Sequence, residues 1–257
     1  MLRKGDLTQG GITGTLLHFT LPMLVGSFLQ QCYNIADTLI VGQCIGAGAL
    51  AAVGSAYTLM VFLISVLLGL AMGSGTVFSL HYGAGNHVAL RRSIFSSFAL
   101  IGIVTLILNV VVFIWLDPIL RLLQVPQDIY GMMRSYLWII FCGIVFTFIY
   151  NFYASLLRAV GDSVTPLWFL AVSVVLNIAL DLFFILQLDW GIQGAAAATV
   201  LAQGVAALGI IIYTYRRRPE LRWHHEDMCF DRTCLKEIAS FSTLTCVQQS
   251  VMLSLIH

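Results

Sequence analysis

The chain has 257 residues, a net charge of +1 and a mean hydropathy of +0.92. Hydrophobic residues make up 59% of it and charged residues only 10%, whereas soluble globular domains contain about 25% charged residues. This composition excludes an ordinary water-soluble domain and indicates an integral membrane protein.

Six stretches are apolar and long enough to cross a bilayer as helices, which takes about 20 residues each. They are residues 16–42, 50–80, 93–116, 133–157, 166–188 and 193–215. The sequence therefore predicts an all-α membrane protein with a six-helix transmembrane bundle over residues 1–215, a charged cytoplasmic linker over 216–236 and the start of a seventh helix over 237–257. Because this last apolar stretch ends without a polar flank, we expect the chain to be a fragment.

The basic residues predict the orientation. If the N-terminus is cytoplasmic, eleven of the 13 lysines and arginines lie on the inner side, and only Arg121 and Arg134 lie outside. Such an excess of basic residues on one side marks the cytoplasmic face. We therefore expect a multi-pass protein of the inner (plasma) membrane with a cytoplasmic N-terminus.

The first span combines an apolar helix with a stripe of polar residues. Asp37 is preceded at helical spacing by Asn34, Gln30 and Gly26. A carboxylate at membrane depth costs about 2.5–3.5 kcal/mol on insertion scales, so it should face the bundle interior or a water-filled cavity. Pro22 removes a backbone donor from the same helix and predicts a kink that could serve as a bending element; a static kink that only improves packing is an equally good interpretation.

The fifth and sixth spans contain further polar residues that are candidates to pair with Asp37. Asn177 and Asp181 are four residues apart, so they share a helix face about 6 Å apart along the axis. Thr199 follows a run of small residues in the sixth span, and Gln203 lies one turn beyond it. Carboxylate, carboxamide and hydroxyl oxygens suit Na⁺, and two carboxylates in a low dielectric can also share a proton. Spacing alone does not establish that Asp37 meets Asp181.

Four segments together carry a family resemblance: NIADTLIVGQCIGAGALAAVG, GLAMGSGTVFSLHYGAGN, LLRAVGDSVTP and LNIALDLFFI. In this order they resemble the multidrug and toxic compound extrusion (MATE) transporters over about residues 1–250. The likeness is greatest to the prokaryotic DinF-like branch, which has Asn-x-x-x-Asp in its fifth helix.

The resemblance implies that the chain is half of a twelve-helix transporter, in which two six-helix bundles surround a central cavity. It implies cation-coupled export of drugs or other amphipathic organic compounds in exchange for Na⁺ or H⁺, without enzymatic activity and without a cofactor. By motif, the family's cation site corresponds to Asp37, Asn177, Asp181 and Thr199, with Asn151 in the adjacent network. The expected partners are the bilayer, a small amphipathic or cationic substrate and the missing C-terminal bundle, and no nucleic acid is expected.

Two alternative functions stay open at this point. A lipid-linked oligosaccharide flippase of the wider superfamily would share the bundle, but it should line its cavity with several arginines, and no arginine lies in the middle of a predicted span. A remnant without transport activity would use the same polar residues only to hold helices together by hydrogen bonds.

Overall fold

The computed structural model describes residues 12–223, 235–243, 245 and 248. The regular structure within these ranges is helical. In chain order the helices are α1 (Ile12–Cys44), α2 (Ala47–Gly83), α3 (His87–Leu122), α4 (Gln127–Cys142), α5 (Ile144–Ala159), α6 (Val164–Leu182), a π-helix (Phe183–Gln187), α7 (Gly191–Arg217) and a short 3₁₀-helix (Pro219–Leu221). Residues 235–243 are also helical, whereas most of the predicted linker and the end of the predicted seventh helix lie outside the described residues.

The described helices confirm an all-helical membrane fold but not the predicted count of six apolar spans. Among the described residues, four helices are long and apolar enough to cross a membrane: α2, α3, α6 with its π-helical extension, and α7. The pair α4 and α5 forms a fifth span if the two are counted together. The predicted span 16–42 is helical as part of α1, which is not among the membrane-spanning helices found in the described residues.

The predicted fourth span, 133–157, is not one straight helix. It is divided between α4 and α5, which meet at Gly143 with a bend of 47°. A Cβ atom on Gly143 would overlap the side chain of Val200 in α7. The glycine therefore allows the bend to approach α7 more closely than any residue with a side chain could.

The external connection predicted over residues 116–133 is also mostly helical. Helix α3 continues through Pro118 to Leu122, and α4 begins at Gln127. Leu116 and Leu120 are almost completely buried on either side of the proline, so core packing keeps this part of α3 helical although Pro118 cannot donate a backbone hydrogen bond.

Helix packing places α1 at the edge of the bundle and α7 near its centre. Helix α7 packs against α4, α5 and α6, while α1 packs mainly against α6 and, less extensively, α2. The first turns of α7 bury the small residues Gly194, Ala195, Ala196 and Ala198. A Cβ atom on Gly194 would lie 3.0 Å from the Cβ atom of Phe184 in the π-helix, so the small residues let α7 approach the end of α6.

The described residues that follow α7 pack back onto the end of the bundle where α7 finishes. Helix α7 extends to Arg217, past the predicted boundary at 216, and Leu221 is buried. The ring of Trp223 contacts Phe98 at a centroid distance of 5.6 Å. Within residues 235–243, Ser242 lies so close to Gly73 of α2 that a Cβ on the glycine would be 2.5 Å from the Ser242 Cα atom.

Replacing Gly143 by alanine should destabilise the bundle. The added methyl group overlaps Val200, and overpacking of this kind typically costs about 1–3 kcal/mol. Gly131 in α4 is the matched control, because nothing lies within 4 Å of the position that a Cβ atom would occupy there, and alanine at this residue should maintain or raise stability by up to about 1 kcal/mol. Thermal unfolding of the two purified variants in detergent checks this, and equal shifts in Tm would contradict the role given to Gly143.

Candidate cation site and adjoining cavity

Two carboxyl groups from distant parts of the chain meet inside the bundle. Asp37 on α1 and Asp181 on α6 are 9% and 0% exposed, and their side chains lie within hydrogen-bonding reach of each other. Asp181 is followed after one residue by the π-helix Phe183–Gln187. Such widened turns within or at the end of α-helices often accompany functional sites.

Asn177 and Thr199 complete the arrangement around Asp181. Both are buried, on α6 and α7 respectively. In the amide orientation that satisfies both neighbours, the Asn177 Nδ2 group donates to Asp181 Oδ2 at 3.0 Å. The Asn177 oxygen then accepts from the Thr199 hydroxyl at 3.3 Å and from the Thr199 backbone N–H at 3.2 Å. The structure thus brings together all four residues of the predicted cation site.

The donor set of this group fits a hard cation or a proton. The Oδ1 atoms of Asp37 and Asp181 are buried and have no hydrogen-bond partner among the described residues. Buried carboxylate oxygens without a partner are costly, and oxygen atoms of carboxylate, carboxamide and hydroxyl groups suit ions such as Na⁺. Within the described part of the chain, no cluster of three or more His, Cys, Asp or Glu side chains forms a transition-metal site.

Two tyrosines that were not predicted from the sequence belong to the same environment. The Tyr33 hydroxyl lies 3.3 Å from Thr199 Oγ1, and the buried Tyr136 of α4 lies close enough to interact electrostatically with Asp37 and Asp181. Tyr33 precedes Asp37 by four residues, so helical spacing could have identified it. Nothing in the sequence near Tyr136 connects it with either acid.

A cavity of about 540 Å³ adjoins the acid pair. Its walls come from α1, α2, α5, α6 and α7. Asp37 and Asp181 are not among the lining residues, but Tyr33 is. Tyr33 therefore connects the two regions, because it contacts Thr199 of the acid site and also lines the cavity.

The remaining polar residues predicted from the sequence line this cavity rather than the acid site. They are Gln30, Asn34, Asn151 and Gln203. The Asn34 carboxamide donates to Gln31 Oε1 at 3.2 Å, and that of Asn151 donates to the Thr147 carbonyl oxygen at 2.8 Å. The Thr147 hydroxyl in turn donates to Gln203.

Pro22 also contributes to the cavity wall. Helix α1 is continuous from Ile12 to Cys44, through the proline, and a kink at this position stays a prediction.

One charged residue in the cavity was not expected. The sequence predicts that Arg158 lies on the inner side of the membrane, beyond the span 133–157, but α5 continues to Ala159 and Arg158 lines the cavity. The hydroxyl of Tyr150, on the same helix, donates to the Pro166 carbonyl oxygen at 3.0 Å and ties α5 to the beginning of α6.

Comparison with known proteins agrees with this architecture. The MatE family model matches residues 22–183 of the chain. The chain is 35% identical over 217 residues to the probable multidrug resistance protein YpnP of Bacillus subtilis, covering 84% of this chain and 49% of that protein. It is 31% identical over 210 residues to the multidrug export protein MepA of Staphylococcus saprophyticus, covering 79% of this chain and 45% of the relative.

The fold also matches a solved structure of an outward-facing multidrug resistance MATE family transporter of the MOP superfamily. The TM-score is 0.90 at 25% sequence identity, and the match covers 97% of this chain and 55% of the solved one. The chain thus spans about half the length of the relatives that it matches. Because the family model covers more than half of its residues, the chain belongs to the MATE family of membrane transporters.

Proposed function

We propose that this chain forms the ion-binding half of an antiporter that exports drugs or other amphipathic organic compounds in exchange for Na⁺ or H⁺. The observation that carries the proposal is the buried pair Asp37 and Asp181, whose carboxyl groups meet while one oxygen of each lacks a partner among the described residues. The Asn177 Nδ2 group donates to Asp181, and the Thr199 hydroxyl supplies a further oxygen atom to the site.

The position of this pair explains how an ion could change the conformation of the bundle. Asp37 lies on α1 and Asp181 on α6, so a cation or proton bound between them reduces the repulsion between two helices that pack against each other. Pro22 leaves α1 without one backbone hydrogen bond, and a helix interrupted in this way bends more easily. Ion binding therefore favours a different packing of α1.

The same helix connects the ion site to the substrate cavity. Tyr33, Asn34 and Gln30 of α1 line the cavity, and Asp37 lies one to two turns further along. A change in the packing of α1 alters the cavity walls, so that ion and substrate each shift the same conformational equilibrium. Each ligand shifts this equilibrium only by the ratio of its own affinities for the two states, and these two ratios limit the coupling free energy between ion and substrate.

The remainder of the transporter follows from the same proposal. Residues 1–215 form the N-terminal bundle, residues 216–236 the cytoplasmic linker, and residues from 237 onward begin a C-terminal bundle that completes a twelve-helix protein. The full protein resides in the inner membrane with its N-terminus in the cytoplasm, where the excess of basic residues lies. MepA, which shares the family, is a multidrug export protein by name.

Replacing Asp37 by asparagine should abolish coupled efflux without preventing membrane insertion. The substitution preserves size but removes the charge that ion binding neutralises. The measurement is drug accumulation in cells that express a chimaera of this chain and the remaining half of the Bacillus subtilis relative. Asp128→Asn, at an exposed acid of α4, is the control and should leave efflux unchanged. Undiminished efflux by the Asp37→Asn chimaera would contradict the proposal.

Ion binding should be visible in the stability of the purified chain. A ligand that binds only the folded state stabilises it by about 2.7 kcal/mol when present at a hundredfold of its Kd. We expect Na⁺, compared with K⁺ at constant pH, to raise Tm if Na⁺ is the coupling ion, and acidification at constant Na⁺ to do so if it is the proton.

The same measurement on variants tests where the ion binds. Asp37→Asn and Asp181→Asn should each remove the response, because each carboxylate supplies one of the unpaired oxygens, whereas Asp128→Asn should retain it. If both site variants respond to the ion as strongly as the unmodified chain, the ion binds elsewhere.

A further inference from the structure

We propose that the cavity binds amphipathic compounds through an acidic group, with Arg158 as the residue that holds the carboxylate. The inference rests on the proposed function, because it specifies the class of substrate that the cavity takes. It names zwitterionic or anionic compounds rather than compounds with only a positive charge.

Arg158 is positioned to reach into the cavity from its inner end. It lies in the last turn of α5 and lines the cavity together with Ser163, the residue that precedes α6. Side chains on a helix lie over the turn that precedes them, so the guanidinium group extends back along α5. Its electrostatic interaction with Tyr150, two turns earlier, agrees with this direction.

The guanidinium group has no carboxylate partner in the described part of the chain. The acid nearest in sequence, Asp162, is already engaged: its Oδ2 atom lies 3.6 Å from an Arg218 nitrogen, and it accepts hydrogen bonds from the backbone N–H and the hydroxyl of Thr165 at 3.0 and 2.8 Å. No hydrogen bond or ion pair of Arg158 itself occurs among the described residues.

The acid pair is too far away to neutralise Arg158. The Tyr150 hydroxyl contacts Pro166, which places this end of the cavity beside the first turn of α6. From Pro166 to Asp181 the helix advances about 22 Å at 1.5 Å per residue. This separation is far beyond the distance of about 4 Å at which a carboxylate forms an ion pair with a guanidinium group.

The cavity therefore presents one uncompensated positive charge to its contents. Arg158 is the only Lys, Arg, Asp or Glu among the described residues that line it. Arginine stays protonated in proteins, and a charge in a site of limited solvent access is costly unless it is paired. A carboxylate satisfies the guanidinium through two parallel hydrogen bonds.

The rest of the lining suits the other parts of such a compound. Leu167 and Leu170 of α6 and Val61 and Ile64 of α2 provide apolar walls. Carboxamide groups that can bind polar or cationic parts of a ligand also line the cavity: Gln30 and Asn34 on α1, Asn151 on α5 and Gln203 on α7. The volume of about 540 Å³ lies within the range of sites for drug-sized ligands.

The test compares two dyes that differ in one group. Rhodamine B carries a free carboxylate beside its delocalised cation, whereas its ethyl ester has the same rings and only the positive charge. Binding of each to the full chain, purified in detergent, is measured by fluorescence anisotropy. We expect rhodamine B to bind about tenfold more tightly than the ester, the difference that one hydrogen-bonded charge pair typically makes.

Variants assign that preference to Arg158. In Arg158→Gln the two dyes should bind equally, and Arg158→Lys should retain part of the preference, which keeps the test informative if the glutamine variant does not fold. Arg217→Gln removes a charge from an exposed position at the same end of the bundle and should leave the preference unchanged.

Two different negative results are distinguishable. If both dyes bind the unmodified chain with equal affinity, the role of Arg158 is wrong while a drug-binding cavity stands. If neither dye binds, the proposed function of this cavity fails, and the inference about Arg158 fails with it.

Discussion

The contact between Asp37 and Asp181 is the interaction on which the rest of this structure depends. Two carboxyl groups in the interior of a membrane protein repel each other when both are ionised, and water is not there to screen them. The bundle nevertheless brings them within hydrogen-bonding reach. Under the proposed function a proton or a cation shared between the two carboxyl groups relieves this repulsion, and the packing of α1 against α6 then depends on whether the site is occupied.

Close packing elsewhere makes this contact feasible. The small residues at the start of α7 let that helix approach the end of α6, and this brings Thr199 to Asn177. The bend at Gly143 similarly lets α4 and α5 follow α7, and α4 contributes Tyr136 to the surroundings of the acids. The central helices are held tightly, whereas α1 has fewer partners at the edge of the bundle. Under the proposed function, a change in charge at Asp37 therefore acts on a helix at the edge of the bundle.

Charge is also separated along the interior. Asp37 and Asp181 are not among the residues that line the cavity, whereas Tyr33 and Arg158 are. Carboxamide side chains of α1, α5 and α7 line the same cavity. Under the proposed function, the ion site and the substrate cavity are chemically distinct although both include residues of α1, so that two different ligands can act on one conformational equilibrium.

The sequence by itself determined the class of protein, the positions of most helices and the identity of the polar residues. Lipid imposes strict requirements on composition, so long apolar stretches and a buried acid are recognisable without a structure. Helical spacing placed Asn177 and Asp181 on one face because that relation is local. The meeting of Asp37 with Asp181, the break at Gly143 and the entry of Arg158 into the cavity were decided only by the tertiary structure. Each depends on how close a second helix comes, and the periodicity of one helix contains no information about that distance.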